Sequence, residues 1–257
     1  MVIAGSGLDE ARSKSRVPAL LDLAQSASGL LLALFMWGHM LFVSSILISK
    51  EAMYTVTKLF EGYFLFGRSY PWLVSLAVFV VICLFAVHAA LAMRKFPASY
   101  RQFRTLRVHM TALDHTDTGL WFVQVYTGFA MFFLGSAHLF FMLVNPADIG
   151  PYASADRVWG GMWPVYLLLL LAVELHGGIG LYRLAVKWGW FEGGDPATSR
   201  RKLIRAKWTI TAVFLLLGLL SLAAYMKIGY EHRERAGERY QPATTQPAPD
   251  APGPRIS

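Results

Sequence analysis

The sequence is short of the residues that disulfides, metal clusters and water-facing surfaces require. Its one cysteine, Cys83, stands in the middle of an apolar run, so a disulfide framework, a thiolate zinc site and an iron–sulfur cluster all lack ligands. No GxGxxG opens a helix after a strand and no GxxxxGK[ST] occurs, which leaves no nucleotide site to argue. Charged residues are 16% of the 257, against 55% hydrophobic, too few to solvate a globule of this length. Strand-type alternation is also absent, which argues against a membrane β-barrel, and no internal repeat stands out.

What the chain does have is long apolar runs. A bilayer-crossing helix needs about 20 consecutive, mostly apolar residues, and such runs occur at about 29 to 48, 72 to 93, 119 to 144, 163 to 186 and 208 to 226. The expectation is an all-α membrane protein of five transmembrane helices with its termini on opposite sides. No small-residue cleavage site precedes Lys50, so the first run reads as a retained anchor and not a removed signal peptide. Segments 1–27, 94–118 and 183–207 hold 15 Lys and Arg, whereas 49–71, 145–162 and 227–257 hold 9. The basic side is the cytoplasmic one by the positive-inside rule, which puts the N-terminus in the cytoplasm and the C-terminus outside. The overall excess of 24 basic over 16 acidic residues is read as membrane orientation and not nucleic-acid binding, because few residues lie outside the spans. The basic connections around 94–107 and 200–207 suit anionic headgroups or a docked partner.

Three segments follow: a cytoplasmic N-terminal segment with an interfacial lead-in, 1–27; a five-helix domain, 28–228; and a disordered, Pro-rich outer tail, 229–257.

Four of the seven histidines, His39, His88, His138 and His176, fall singly inside four different spans. An ionisable side chain there is costly and points to function. Taken alone, each could be a neutral imidazole bonded to a neighbouring carbonyl; four on four spans point to ligation. Depth counted at about 1.5 Å per residue separates an outer pair, His39 and His138, from an inner pair, His88 and His176. Two imidazoles reaching in from opposite helices at similar depth are what a six-coordinate b-type haem needs. Gly38, Gly135, Ala137, the alanines at 89, 90 and 92, and Gly177, Gly178 and Gly180 are expected to make room beside the rings, although small residues also serve close helix packing. Zinc is disfavoured because no two of these histidines share a helix turn. Met36 and Met40 beside His39 permit a copper reading, but methionine is also an ordinary gap-filler. His109 and His232 are expected to be solvated.

The strings MWGHM around His39, FAVHAA around His88, GSAHLFF around His138 and above all ELHGGIGLYR around His176 resemble the dihaem cytochrome b subunit of succinate:quinone oxidoreductases, in the single-chain, five-helix type of menaquinol:fumarate reductases. The resemblance covers about residues 18–228. It implies a subunit of a quinol:fumarate or succinate:quinone oxidoreductase in the bacterial inner membrane. Such a subunit exchanges electrons between menaquinol and an iron–sulfur subunit, with the dicarboxylate site on a flavoprotein partner. It further implies two haems b, the inner on His88 and His176, the outer on His39 and His138. The family precedent is a dimer of heterotrimers.

By the same resemblance Glu61, in the aromatic outer segment KLFEGYFLFG, matches a glutamate that takes a proton as menaquinol is oxidised. Glu174 matches an intramembrane glutamate proposed to relay protons; two residues from His176, it points about 200° away from the ligand face of its helix. Gln25, Ser26, His115, Trp121 and Lys187 match donors to haem propionates at the cytoplasmic boundary, and Arg157 is a propionate candidate on the outer side. The alternatives are a haem b subunit of another quinone-linked complex, such as a formate dehydrogenase or hydrogenase, and a haem-free transporter or proton channel using the histidines and Glu174. Inverted repeats or broken helices would favour the latter, and the sequence shows neither.

Overall fold

A computed structural model describes residues 15–112 and 116–242, and nearly all of these are helical. Helix α1 runs Val17–Val43 and tightens into a 3₁₀ turn, Ser44–Leu47; α2 is Lys50–Phe60 and α3 Tyr63–Phe66; α4 is Trp72–Met93, α5 Tyr100–Ala112, α6 Thr116–Val144 and α7 Pro151–Arg157; a widened turn, Val158–Met162, leads into α8, Trp163–Lys187; α9 is Pro196–His232. Among the described residues five helices are long and apolar enough to cross a membrane: α1, α4, α6, α7 continued by α8, and α9. Each contains one of the apolar runs seen in the sequence.

The helices outrun the apolar runs at their polar ends. Pro18 sits in the first turn of α1, where its missing N–H costs nothing, so the expected interfacial lead-in is continuous with the first span. Asp195 caps α9 by accepting from the backbone N–H groups of Ala197 and Thr198 at 3.2 and 3.1 Å. The Thr198 hydroxyl and the Ala197 N–H hold its carboxyl below the usual carboxylate range.

Helices α1, α4, α6 and α8 form a ring in which each packs on the next and α8 returns to α1; α9 lies outside it, against α8 and α1. Helix α4 buries none of its residues fully, as suits an apolar spanning helix that packs along α1 and α6 and leaves its remaining surface for lipid. Helix α9 is the reverse of a soluble amphipathic helix. Its buried residues are Lys207, Thr211, Gly218, Ser221, Tyr225, Gly229 and His232, polar or small throughout, while leucines and valines face outward. Without a hydrophobic drive between helices in lipid, close approach and hydrogen bonds hold the seam together: the Ser221 hydroxyl donates to Ser44 Oγ at 2.9 Å, and the Tyr225 hydroxyl to the Val43 carbonyl at 3.3 Å.

Gly229 marks the tightest crossing, because an added Cβ would stand 2.5 Å from both the Ala155 carbonyl oxygen and Trp159 Cβ. Gly229→Val therefore forces α7 from α9 and is expected to cost about 1–3 kcal/mol, read as a lower midpoint of thermal unfolding in detergent.

The last spanning helix runs on past residue 228. Helix α9 continues to His232, and Tyr240 packs against Tyr54 and Tyr152. The N-terminal residues 1–14, His115, and the tail from 243 onward lie outside the described residues.

Candidate functional site

The four intraspan histidines all stand on the four ring helices and none on α9. His39 and His138 each lie 22 residues in from the first residues of their helices, Val17 and Thr116. Their ring centroids are 6.3 Å apart. Two metal–nitrogen bonds of about 2 Å, with roughly 1 Å from each ring centre to its nitrogen, span the same distance. Gly38 and Gly135, one and three residues before them, face open space. His39 is exposed and His138 half-buried although both are mid-span, so side chains alone do not close the bundle around these rings.

The inner pair is set by its hydrogen bonds. His176 Nδ1 lies 2.9 Å from the Gln124 carbonyl oxygen. A carbonyl only accepts, so Nδ1 carries the proton and Nε2 is the nitrogen with its lone pair available. His88 Nδ1 lies 3.1 Å from Ser28 Oγ, while the Ser28 hydroxyl donates to the Gln25 carbonyl; Nδ1 of His88 therefore donates to Ser28 and its Nε2 is free as well. Tying off one ring nitrogen is how metal-bound imidazoles are oriented. A Cβ on Gly29 would meet His88 Cε1 at 2.9 Å, and one on Gly128 would meet His176 Cε1 at 3.0 Å. These two glycines, on the helices facing those that carry His88 and His176, let the rings lie against a neighbouring backbone.

The glycines next to His176 do something else. A side chain on Gly178 would run into Thr211 of α9, and one on Gly180 would meet Gln124 Nε2 at 3.1 Å. They serve helix crossings, which corrects the expectation that all three make room beside the ring.

At the basic end Gln25, Ser26 and Lys187 come together. Lys187 Nζ donates to Ser26 Oγ and to Asp22, both at 3.3 Å, and Gln25 Oε1 is buried with no partner. Asp22 gathers Arg94, Lys95 and Lys187. Trp121 stacks near Phe96 and Phe122. At the other end the Arg157 Nε–H donates to the Tyr166 hydroxyl at 2.9 Å, and the Tyr166 ring meets that of His138 edge to face at 5.7 Å. That contact ties Arg157 to the outer pair.

Glu61 ends α2, only 4% exposed, with Lys58 Nζ 2.6 Å from its Oε2. It is a buried, ion-paired carboxylate and not a solvated loop side chain. Glu174, 1% exposed, shares with Gly178 and Tyr182 the α9 side of α8, away from His176, whose ring meets α6. Its Oε1 has no hydrogen-bond partner among the described residues. His109 is exposed, with Nδ1 3.0 Å from the Thr105 carbonyl. His232 departs from expectation: it is 2% exposed, bonded to Asp156 and stacked on Tyr152. Its charged surroundings in sequence hide that it continues the buried face of α9 one turn beyond Gly229. Gly29, Gly128, Ser28, Gln124, Asp22, Lys58 and Tyr166 are contributors that the sequence reading missed.

The fold and these groups define a class: an all-helical, multi-pass membrane protein with one imidazole on each of four spanning helices. Residues 101–222 match the family of succinate dehydrogenase/fumarate reductase transmembrane subunits. The chain is 52% identical over 232 residues to the fumarate reductase cytochrome b subunit of Wolinella succinogenes, covering 89% of this chain and 90% of that one. It is 49% identical over 238 residues to the fumarate reductase cytochrome b subunits of two Helicobacter pylori strains, covering 92% of each chain. The chain belongs to the family of fumarate reductase cytochrome b subunits, the membrane part of a quinol:fumarate oxidoreductase complex. Membership implies haem b and catalytic partner subunits.

Proposed function

We propose that this chain holds two haems b, an inner one on His88 and His176 and an outer one on His39 and His138, and that it oxidises menaquinol near α2. The observation that carries this is the pairing of four mid-span imidazoles at two depths, two facing each other at 6.3 Å and two with Nδ1 tied off. When bound, haem b supplies a one-electron carrier; the protein supplies ligand, orientation and charge. Gln25, through its amide N–H, Ser26, Trp121, His115 and Lys187 hold the inner propionates through charge-assisted bonds. Arg157, anchored on Tyr166, serves the outer group.

Glu61 accepts a proton from the quinol hydroxyl as the quinol gives up its electrons, the work of a base within hydrogen-bond reach. Lys58, 2.6 Å from its Oε2, fixes the position of that carboxylate before substrate arrives. Glu174, unpartnered within the α8–α9 seam, relays protons across the membrane.

The basic end, with α5, faces the cytoplasm of a bacterial inner-membrane protein, where the iron–sulfur subunit and the flavoprotein that binds the dicarboxylate dock on it. The α2 end and the C-terminus are periplasmic. The transmembrane dihaem unit is residues 28–228 with α9 extending past it, flanked by an N-terminal cytoplasmic segment and a Pro-rich tail. Two such heterotrimers form the assembly.

A pyridine haemochrome assay with a reduced-minus-oxidised spectrum of the purified complex tests the reading. The expected result is two low-spin bis-imidazole haems b per chain. One haem or none overturns the four-histidine assignment.

A further inference from the structure

Beyond α9 the chain doubles back over the α2 end, and none of the roles assigned so far uses it. After the 3₁₀ turn at Arg233–Arg235, Gly237 takes a left-handed backbone, φ 94°, which glycine adopts without steric cost. Its N–H donates to Asp156 Oδ2 at 2.9 Å. The other oxygen of that carboxylate lies 2.8 Å from His232 Nδ1, and the His232 ring is stacked on Tyr152, centroids 4.0 Å apart and planes within 14°. Arg239 pairs with Asp148 at 3.2 Å. Tyr240 then sets its ring 5.3 Å from that of Tyr152 on α7 and 5.7 Å from that of Tyr54 on α2, and its hydroxyl donates to Glu51 at the start of α2. The segment thus touches α9, α7 and α2 in turn.

On α2 the contacts continue along one face. Glu51, Tyr54, Lys58 and Glu61 follow at helical spacing. Lys58 Nζ stands 5.3 Å from the Tyr54 ring centroid and 2.6 Å from Glu61 Oε2. A helix of eleven residues is too short to persist unsupported, and α2 buries only Met53 and Thr57. Its placement therefore depends on what fastens it. Burial, then the bond to Glu51, pushes the Tyr240 hydroxyl up to about 12, so it remains a neutral donor, and that bond is the main reason the Glu51 carboxyl sits below its ordinary value.

We propose that residues 236–240 are a positioning element for quinol oxidation: they clasp α2 to α7 and α9 and, through Tyr240, Tyr54 and Lys58, hold the Glu61 carboxylate where the quinol hydroxyl meets it. This rests on the reading of Glu61 as the proton acceptor. Tyr240, Tyr54 and Lys58 are positioning residues. Each acts on the base and none on the substrate.

The test uses the assembled complex, with a dimethylnaphthoquinol as donor, fumarate as acceptor, and reduced viologen as a donor that bypasses the quinol site. A misplacement of about 1 Å can cost up to ~100-fold in rate. Tyr240→Ala is expected to lower naphthoquinol-driven turnover about tenfold, mainly in kcat, with haem spectra and viologen-driven fumarate reduction unchanged. Tyr240→Phe keeps the ring contacts and loses only the bond to Glu51, so it is expected to stay within about twofold of the parent. Lys58→Met cuts the last link without touching the segment and should give the same selective loss as Tyr240→Ala. Quinol turnover within twofold of the parent for both Tyr240→Ala and Lys58→Met overturns the clasp. So does a viologen rate that falls in step, which marks a general defect of folding. Glu61→Gln separates the two layers: if it abolishes quinol oxidation while the clasp variants are normal, the clasp fails and the base stands; if it too is normal, the reading of Glu61 fails.

Discussion

Replacing His176 with alanine is expected to leave one haem b per chain instead of two and to reduce quinol-driven fumarate reduction by a hundredfold or more. The side chain stands on α8 opposite Gly128, with Nδ1 bonded to the Gln124 carbonyl, so the nitrogen left for iron is fixed before any ligand enters. Alanine removes a ligand that no neighbour can replace: Thr127, 3.4 Å from His176 Nδ1, offers only a hydroxyl, and Gln124 is engaged through its backbone. His39 and His138 belong to the other pair and lie deeper from the basic end, so the outer group should remain with its low-spin spectrum. Haemochrome stoichiometry reads the first effect. Fumarate reduction by viologen, which needs no quinol, should persist in the same preparation. Retention of two haems by His176→Ala would remove the residue from the ligand set, and loss of both would mean that the ring helices cannot assemble with half their ligands.

The five spans were legible because lipid imposes a long unbroken apolar signal, whereas the ends of the helices are polar and give none. That is why α1 begins at Val17 and not near 29, a shift that matters because depth counted from 29 places His39 too near the basic end. Counted from Val17, it matches the depth of His138. That His39 and His138 approach each other was legible because one histidine per span is a rare arrangement. The second layer was not, since the role of Gly29, Gly128 or Gln124 depends on which helix each one faces, and a single sequence does not say. Lys58 could have been read: a lysine three residues before Glu61 on an amphipathic helix is a ready ion-pair partner. His232 was misread because YEHRER looks solvated, yet the 3–4 residue spacing of Ser221, Tyr225, Gly229 and His232 runs straight through the charged run. In a membrane helix whose buried face is polar, hydropathy alone points the wrong way.

Glu61→Gln carries the other large effect. Glutamine keeps the size and can still accept from Lys58, but it cannot take up a proton, so quinol oxidation is expected to fall at least about a hundredfold, the lower end of what a general base contributes. The two haems should be retained, because Glu61 lies at the end of α2, outside the ring helices that carry the histidines. Viologen-driven fumarate reduction should be unchanged for the same reason. Glu61→Asp separates reach from charge: it keeps the carboxylate but withdraws it by one methylene, away from the position that Lys58 at 2.6 Å now defines. An intermediate rate in that variant would mean that placement as well as basicity is selected here. Quinol turnover by Glu61→Gln near that of the parent would leave the buried ion pair as a packing feature of α2 and require the proton acceptor to be sought elsewhere at this end of the bundle.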